Sequence, residues 1–208
     1  MFDMDGTLVD SAPAIISRLS ETLEHFDVSG VKPDALRHYI GPPIRTTLSE
    51  FIAAERVPDA ISFYRGLSAR DGLSRQTLFD GITEVLSELH EFNVPLGIAS
   101  SKPQHEVELI AEHFGIAPFF SAMVGSDTER DTKALVVAEA LAKLAALSVE
   151  HPLMVGDRIW DIEGAAALGV PTILVSWGYA DNDEKKTAYA EVSTMVELTQ
   201  FVVNGAAS

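Results

Sequence analysis

Four short apolar runs constrain the fold of this chain more than any other feature. They lie at residues 95–99, 122–125, 152–155 and 171–175. Each is continuously apolar rather than alternating, so each strand has both of its faces covered. Helical stretches at residues 81–92, 104–114, 132–146 and 161–168 fill the gaps between them. Covered strands separated by helices make a parallel sheet with helices on both sides. The pattern predicts an α/β fold with a doubly wound, mostly parallel sheet, to which residues 1–4 add a further strand. Residues 12–78 hold no strand-like run. Ile15, Ile16, Leu19, Leu23 and Phe26 recur at helical spacing, as do Leu48, Phe51 and Ile52, and then Phe63, Tyr64 and Leu67. Gly41-Pro42-Pro43 marks a tight connection between two of these helices. The expectation is a core domain of residues 1–11 and 79–208, with a small α-helical domain of residues 12–78 inserted after strand one. A chain of 208 residues buries about 70% of its unfolded surface, which is enough for both.

Charge narrows the partners. The chain has 31 Asp and Glu against 15 Lys and Arg, a formal net charge of −16. Such a field repels nucleic acid and anionic membrane, and no basic block offsets it. An anionic substrate therefore needs a local cation, either a metal or a fixed Lys or Arg. The chain has no Cys, so neither a disulfide framework nor thiol chemistry is available. No secretory leader and no apolar run of about 18 residues stands out, and a cytoplasmic location is expected.

In open α/β sheets the ligand site lies at the carboxyl ends of the strands. Asp3, Ser100 and Asp157 each follow an apolar run, so the topology brings three distant positions to one sheet edge. Asp3 and Asp5 project from one face of an extended strand, about 7 Å apart, with room for a cation or small electrophile between them. Gly6 supplies backbone freedom where the strand must turn. Neither carboxylate can be buried without a partner. Each residue alone also has a plain structural reading. Ser100 then simply ends a strand, Lys133 starts a helix, Gly156-Asp157 forms a turn, and Asp161 favours a helix N-terminus.

The run from Asp3 to Ser11, DMDGTLVDS, resembles the first motif of the haloacid dehalogenase superfamily, hDxDGTLhDS. Pro95-Leu96-Gly97-Ile98-Ala99-Ser100 is similar to the second motif, Lys133 at a helix start to the third, and Val155 to Asp161, VGDRIWD, to the fourth, hhGDxxxD. The resemblance spans essentially the whole chain. It implies phosphoryl transfer with Asp3 as nucleophile, forming an aspartyl-phosphate, and Asp5 as the acid and base. Ser100 would bind a phosphate oxygen, and Lys133 would neutralise the phosphate and keep the nucleophile ionised. It also implies a magnesium ion on Asp3, the backbone carbonyl of Asp5 and Asp157, with Asp161 just outside that set or replacing a bound water. Two departures stand out. Lys133 is followed by Ala134 where many relatives have Pro, although Lys143 falls mid-helix and fits worse. Relatives carry several residues before the nucleophile and this chain has two, which implies a natural N-terminus beyond Met1.

Asp5 argues against the dehalogenase and phosphonate-cleaving branches, which lack a second acid there. Gly41-Pro42-Pro43-Ile44-Arg45, Tyr64-Arg65, Phe79-Asp80-Gly81-Ile82, Ser100-Ser101-Lys102-Pro103 and Trp177-Gly178-Tyr179 resemble the phosphoglycolate phosphatase-like subfamily, whose helical insertion is a cap. The implied activity is a magnesium-dependent phosphatase acting on a small phosphorylated metabolite. Arg45, Ser101 and Lys102 would contact the substrate, and Arg45 would carry its specificity. The rival readings are a sugar-phosphate mutase or a nucleotidase or pyrophosphatase on the same scaffold. More remote are a receiver-like phosphorylation module and a non-catalytic binding relative. The sequence sets neither the substrate nor the oligomeric state.

Overall fold

A computed structural model of the chain describes residues 1–147 and 149–206. The short ribbon strand β1 (Val9–Asp10) leads into helix α1 (Ala12–His25), which places Pro13 in its first turn, where no backbone donor is needed. A 3-10 turn at Pro33–Tyr39 follows, then α2 (Ile44–Ser49), a second 3-10 turn at Ala54–Arg56 and α3 (Val57–Asp71). Strand β2 (Thr77–Leu78) returns antiparallel to β1 and closes the helical segment at its base. Ala12, Leu19, Leu23, Leu36, Leu48 and Ile61 belong to an apolar cluster of that segment's own.

The remainder alternates as the apolar runs predict. Helix α4 (Ile82–Glu91) precedes β3 (Gly97–Pro103), α5 (Gln104–His113) and β4 (Ala122–Ser126). Then come α6 (Lys133–Ala145), β5 (Met154–Gly156), α7 (Ile159–Ala166) and β6 (Thr172–Val175). The chain finishes with α8 (Asn182–Lys185), β7 (Ala190–Val192) and α9 (Met195–Ala206). Strand β3 pairs in parallel with β4, β5 with β6, and β6 with β7. Phe2 bridges Ile98 on one side and Val155 on the other, both in parallel. The order is therefore β4, β3, the N-terminal segment, β5, β6, β7. Two apolar layers cover the sheet. Leu86, Ile110 and Leu198 from α4, α5 and α9 lie with Phe2 in one, and Val136, Ala140 and Ala165 from α6 and α7 lie with Met154 in the other.

The N-terminal strand is shorter than residues 1–4. Its ladder runs from the Met1 carbonyl, which accepts from Val155 N at 2.8 Å, to Asp3 N, which donates to the Val155 carbonyl at 2.9 Å. Beyond Asp3 the backbone bends. The Met4 carbonyl accepts from Leu8 N at 3.0 Å and Val9 N at 2.9 Å, and Gly6 takes φ +76°. The turn forms this early because a tight backbone loop, rather than a longer strand, satisfies these donors.

Candidate active site

Three carboxylates converge where the N-terminal segment, β5 and α7 meet. One oxygen each of Asp3, Asp157 and Asp161 lies within 4.8 Å of the others, and all three residues are buried. Lys133, at the first position of α6, reaches in from the side, with Nζ 2.7 Å from Asp3 Oδ1 and 2.7 Å from Asp161 Oδ1. Thr132 sets that position, since its hydroxyl accepts from Leu135 N and starts the helix there. Asp161 has a second task. Its Oδ2 accepts from Asp157 N and Arg158 N, each at 3.1 Å, so it also caps α7. Asp157 Oδ2 accepts from Tyr179 N at 2.8 Å.

Three acids against one ammonium leave this pocket over-charged. Burial, with Asp161 and Asp5 adding to it against the pull of Lys133, pushes the Asp3 carboxyl up to about 7. Burial, then Asp161 and Asp3, hold Asp157 well above the ordinary carboxylate range. Burial alone would lower the Lys133 ammonium, but Asp161 and Asp3 outweigh it and the group is raised. Uncompensated buried charge is costly, and a compact, all-oxygen donor set with excess negative charge fits a hard divalent cation.

Asp5 turns to different partners. Its Oδ1 accepts from Ser11 Oγ and lies 3.2 Å from Lys102 Nζ. The sharp bend after Asp3 is the reason. The strand has already ended at Asp3, so Asp5 stands on the bend rather than on an extended segment, while its charge still acts on Asp3. Lys102 Nζ is also 4.0 Å from Glu106. Burial would lower Lys102, but Asp5, Glu106 and Tyr64 raise it. Tyr64 on α3 looks onto this charged group, and burial pushes its hydroxyl up to about 12.

Ser100 is fully buried, with Oγ accepting from Lys102 N at 3.3 Å. Strand β3 continues past it to Pro103, but its pairing with β4 is irregular between Ala99 and Pro103. Such irregularities re-aim side chains beside sites. The Ser101 hydroxyl is buried without a partner. Arg45 is exposed on α2, and among the described residues it forms no ion pair. The structure thus gathers Asp3, Lys133, Asp157 and Asp161 directly, pairs Asp5 with Lys102 next to Ser100 on β3, and leaves Arg45 on the surface.

Four participants were missed by motif reading. Ser11 holds Asp5, and Tyr179 donates to Asp10 Oδ1 at 2.8 Å while its hydroxyl accepts from Ser11 N and Ala12 N. Arg158 and Glu184 form a buried ion pair at 3.0 Å. Ser11, Arg158 and Tyr179 lie inside the quoted motifs but carry no assigned chemistry there, and Glu184 has no local signal at all.

Comparison with known proteins follows the same lines. The haloacid dehalogenase-like hydrolase family matches over residues 1–175. The tyrosine-protein kinase PtkA of Mycobacterium tuberculosis is 37% identical over 206 residues, covering 96% of this chain and 70% of that protein. A 5′-nucleotidase of Pseudomonas aeruginosa is 33% identical, covering 88% of this chain and 85% of its own. A phosphoglycolate phosphatase of Chromobacterium violaceum is 29% identical, covering 98% and 96%. The crystal structure of a predicted phosphatase from Clostridium acetobutylicum superposes with a TM-score of 0.88 at 33% identity, covering 98% of this chain and 96% of its own. A buried acidic cluster at the carboxyl edge of a parallel sheet thus sits on the fold of a phosphatase-type hydrolase. The chain belongs to the haloacid dehalogenase-like hydrolases.

Proposed function

We propose that this chain is a magnesium-dependent phosphatase that hydrolyses small phosphomonoesters through an aspartyl-phosphate on Asp3. The observation that carries the reading is the ammonium of Lys133, held 2.7 Å from both Asp3 and Asp161 beside Asp157. Asp3, Asp157 and the Asp5 carbonyl would hold the magnesium, with Asp161 at its margin. When bound, the ion neutralises phosphate oxygens and the charge that builds on them in the transition state. Asp3 attacks phosphorus as the ester P–O bond breaks, and Asp5 gives its proton to the leaving alkoxide. Asp5 then takes a proton from water as that water attacks phosphorus, the bond to Asp3 breaks, and phosphate leaves. Ser100 and Lys133 hold phosphate oxygens through both steps.

Residues 12–78 would act as the cap and residues 1–11 and 79–208 as the core, in a cytoplasmic enzyme whose partner is a small phosphorylated metabolite. Ser101 and Lys102 line the leaving-group side, and Arg45 would read the substrate from the cap. A panel of phosphate esters assayed with magnesium tests the reading. Phosphate release that stops on chelation, and in the Asp3→Asn enzyme falls below about a tenth, supports it. A larger residual rate, less than about a 1.4 kcal/mol effect, removes Asp3 as nucleophile.

The similarity to PtkA favours one second reading, in which a tyrosine hydroxyl replaces water as acceptor. Transfer from ATP to a tyrosine-containing peptide, with no ester hydrolysed, would favour it. Turnover that depends on a sugar bisphosphate would instead mark a mutase.

A further inference from the structure

Arg158 directly follows Asp157, but its guanidinium pairs with none of the three clustered carboxylates. Its side chain is 3% exposed. Nε donates to Glu184 Oε2 at 3.0 Å and Nη2 donates to Oε1 at 3.0 Å, a two-pronged pair. Nη1 donates to the His38 carbonyl at 3.0 Å and also to the Ile40 carbonyl. Four of the five guanidinium donors are therefore engaged, so the group has almost no capacity left for a ligand. His38 lies in the last turn of the first 3-10 segment and Ile40 directly follows that segment, both inside the helical segment. Asp157 and Glu184 belong to the sheet side.

The surroundings are shaped to this contact. Gly41 has φ +110°, and a Cβ there would sit 3.0 Å from Arg158 Cγ. Tyr179, which donates its N–H to Asp157, and Glu184 both come from the segment that follows β6. Trp177 Nε1 donates to the Thr7 carbonyl at 3.1 Å, and the Tyr179 hydroxyl holds the start of α1. Arg37, from the same 3-10 segment as His38, lies over the Tyr179 ring at 5.4 Å.

We propose that Arg158 is a positioning residue that seats the helical segment over the acidic site. Glu184 keeps its charge balanced on the sheet side, so the guanidinium stays pre-formed when the segment moves away. Of the contacts Arg158 makes, only the bonds to the His38 and Ile40 carbonyls break, and water can satisfy those carbonyls in the open form. The joint is thereby reversible, whereas an ion pair running across it would strand a buried charge on opening. Lys in place of Arg158 could not serve Glu184 and two carbonyls at once, because it lacks the planar fork. The expected effect on turnover rests on the phosphatase reading, but the structural readouts do not.

Hydrogen exchange and inter-dye distance on the full chain test this. The chain has no Cys, so Ser29→Cys and Lys143→Cys place one dye on the helical segment and one on the sheet side. Arg158→Gln should raise exchange in residues 36–48 tenfold or more and lengthen the dye distance, while α4 and β3 keep their protection. Arg158→Lys should fall between that variant and wild type. If the wild-type protein hydrolyses an ester, kcat/KM should drop 10- to 100-fold in Arg158→Gln. Should that variant not fold, Glu184→Gln, which only loosens the guanidinium, should show the same local changes in smaller measure. Unchanged exchange and distance in the folded variants would overturn the proposal. So would exchange raised evenly through the whole protein, which would make Arg158 an ordinary core staple.

Discussion

At the scale of single residues, Lys133 carries the heaviest electrostatic duty. It is the cation within 2.7 Å of two buried carboxylates, and a third stands beside them. Replacing it with Met leaves that cluster without its ammonium. Breaking a buried pair from one side typically costs about 3–5 kcal/mol, so metal-free Lys133→Met should lose stability of that order in urea unfolding. Magnesium should restore part of the loss, because a divalent cation answers the same excess charge. A loss below about 1 kcal/mol would mean the acids are already protonated and the pairing is idle. Asp3 and Asp157 were legible in the sequence, because each follows an apolar strand and strand ends are where α/β sheets build sites, whereas Asp161, in the first turn of α7, came only from the resemblance to the fourth motif. Arg158 was not legible in the same way. Its partner carbonyl on Ile40 lies 118 positions away, and no local pattern encodes a contact made only by tertiary closure.

Among the elements, the strands and helices with a strong apolar pattern were the ones readable in advance. β3 through β6 and α4 through α7 stand within a few residues of their apolar runs. The two-residue strands β1 and β2, the three-residue β7 and the four-residue α8 were not, since they are too short to show any periodicity. Side-chain direction is lost in the same way. The strand expected to carry both Asp3 and Asp5 is replaced after Asp3 by a turn anchored on the Met4 carbonyl, and Asp5 reaches Ser11 and Lys102 from it. That turn depends on Gly6. A Cβ at Gly6 would come within 2.1 Å of Asp157 Oδ2 at φ +76°. Gly6→Ala should therefore cost at least the ~1–3 kcal/mol of backbone strain and displace Asp157 as well, so activity should fall more than stability alone explains. At the other end of the site, Thr132→Ala removes the cap of α6. It should cost about 1 kcal/mol in urea unfolding and should lower the catalytic rate only by as much as it shifts Lys133. Equal loss of both properties in the Gly6 and Thr132 variants would argue that neither turn positions the site.

On the scale of the whole molecule, the net charge of −16 and the buried acidic cluster predict a fold whose stability responds to cations. A ligand that binds the folded chain alone stabilises it by about 2.7 kcal/mol at one hundred times its dissociation constant. For a domain of this size each kcal/mol moves the melting temperature by roughly 2–4 °C. Magnesium at such an excess should therefore raise Tm by roughly 5–10 °C over the chelated protein. Diffuse screening of surface carboxylates would also stabilise an acidic protein, but it would act through ionic strength. Sodium chloride matched in ionic strength separates the two. Asp157→Asn separates them again, because it removes one buried oxygen donor and leaves the surface field almost unchanged. The expected result is a magnesium shift that sodium does not reproduce and that Asp157→Asn reduces to about 2 °C or less. A shift of the same size with sodium, or one that survives in Asp157→Asn, would assign the stabilisation to the surface charge and leave the buried carboxylates without a metal to hold.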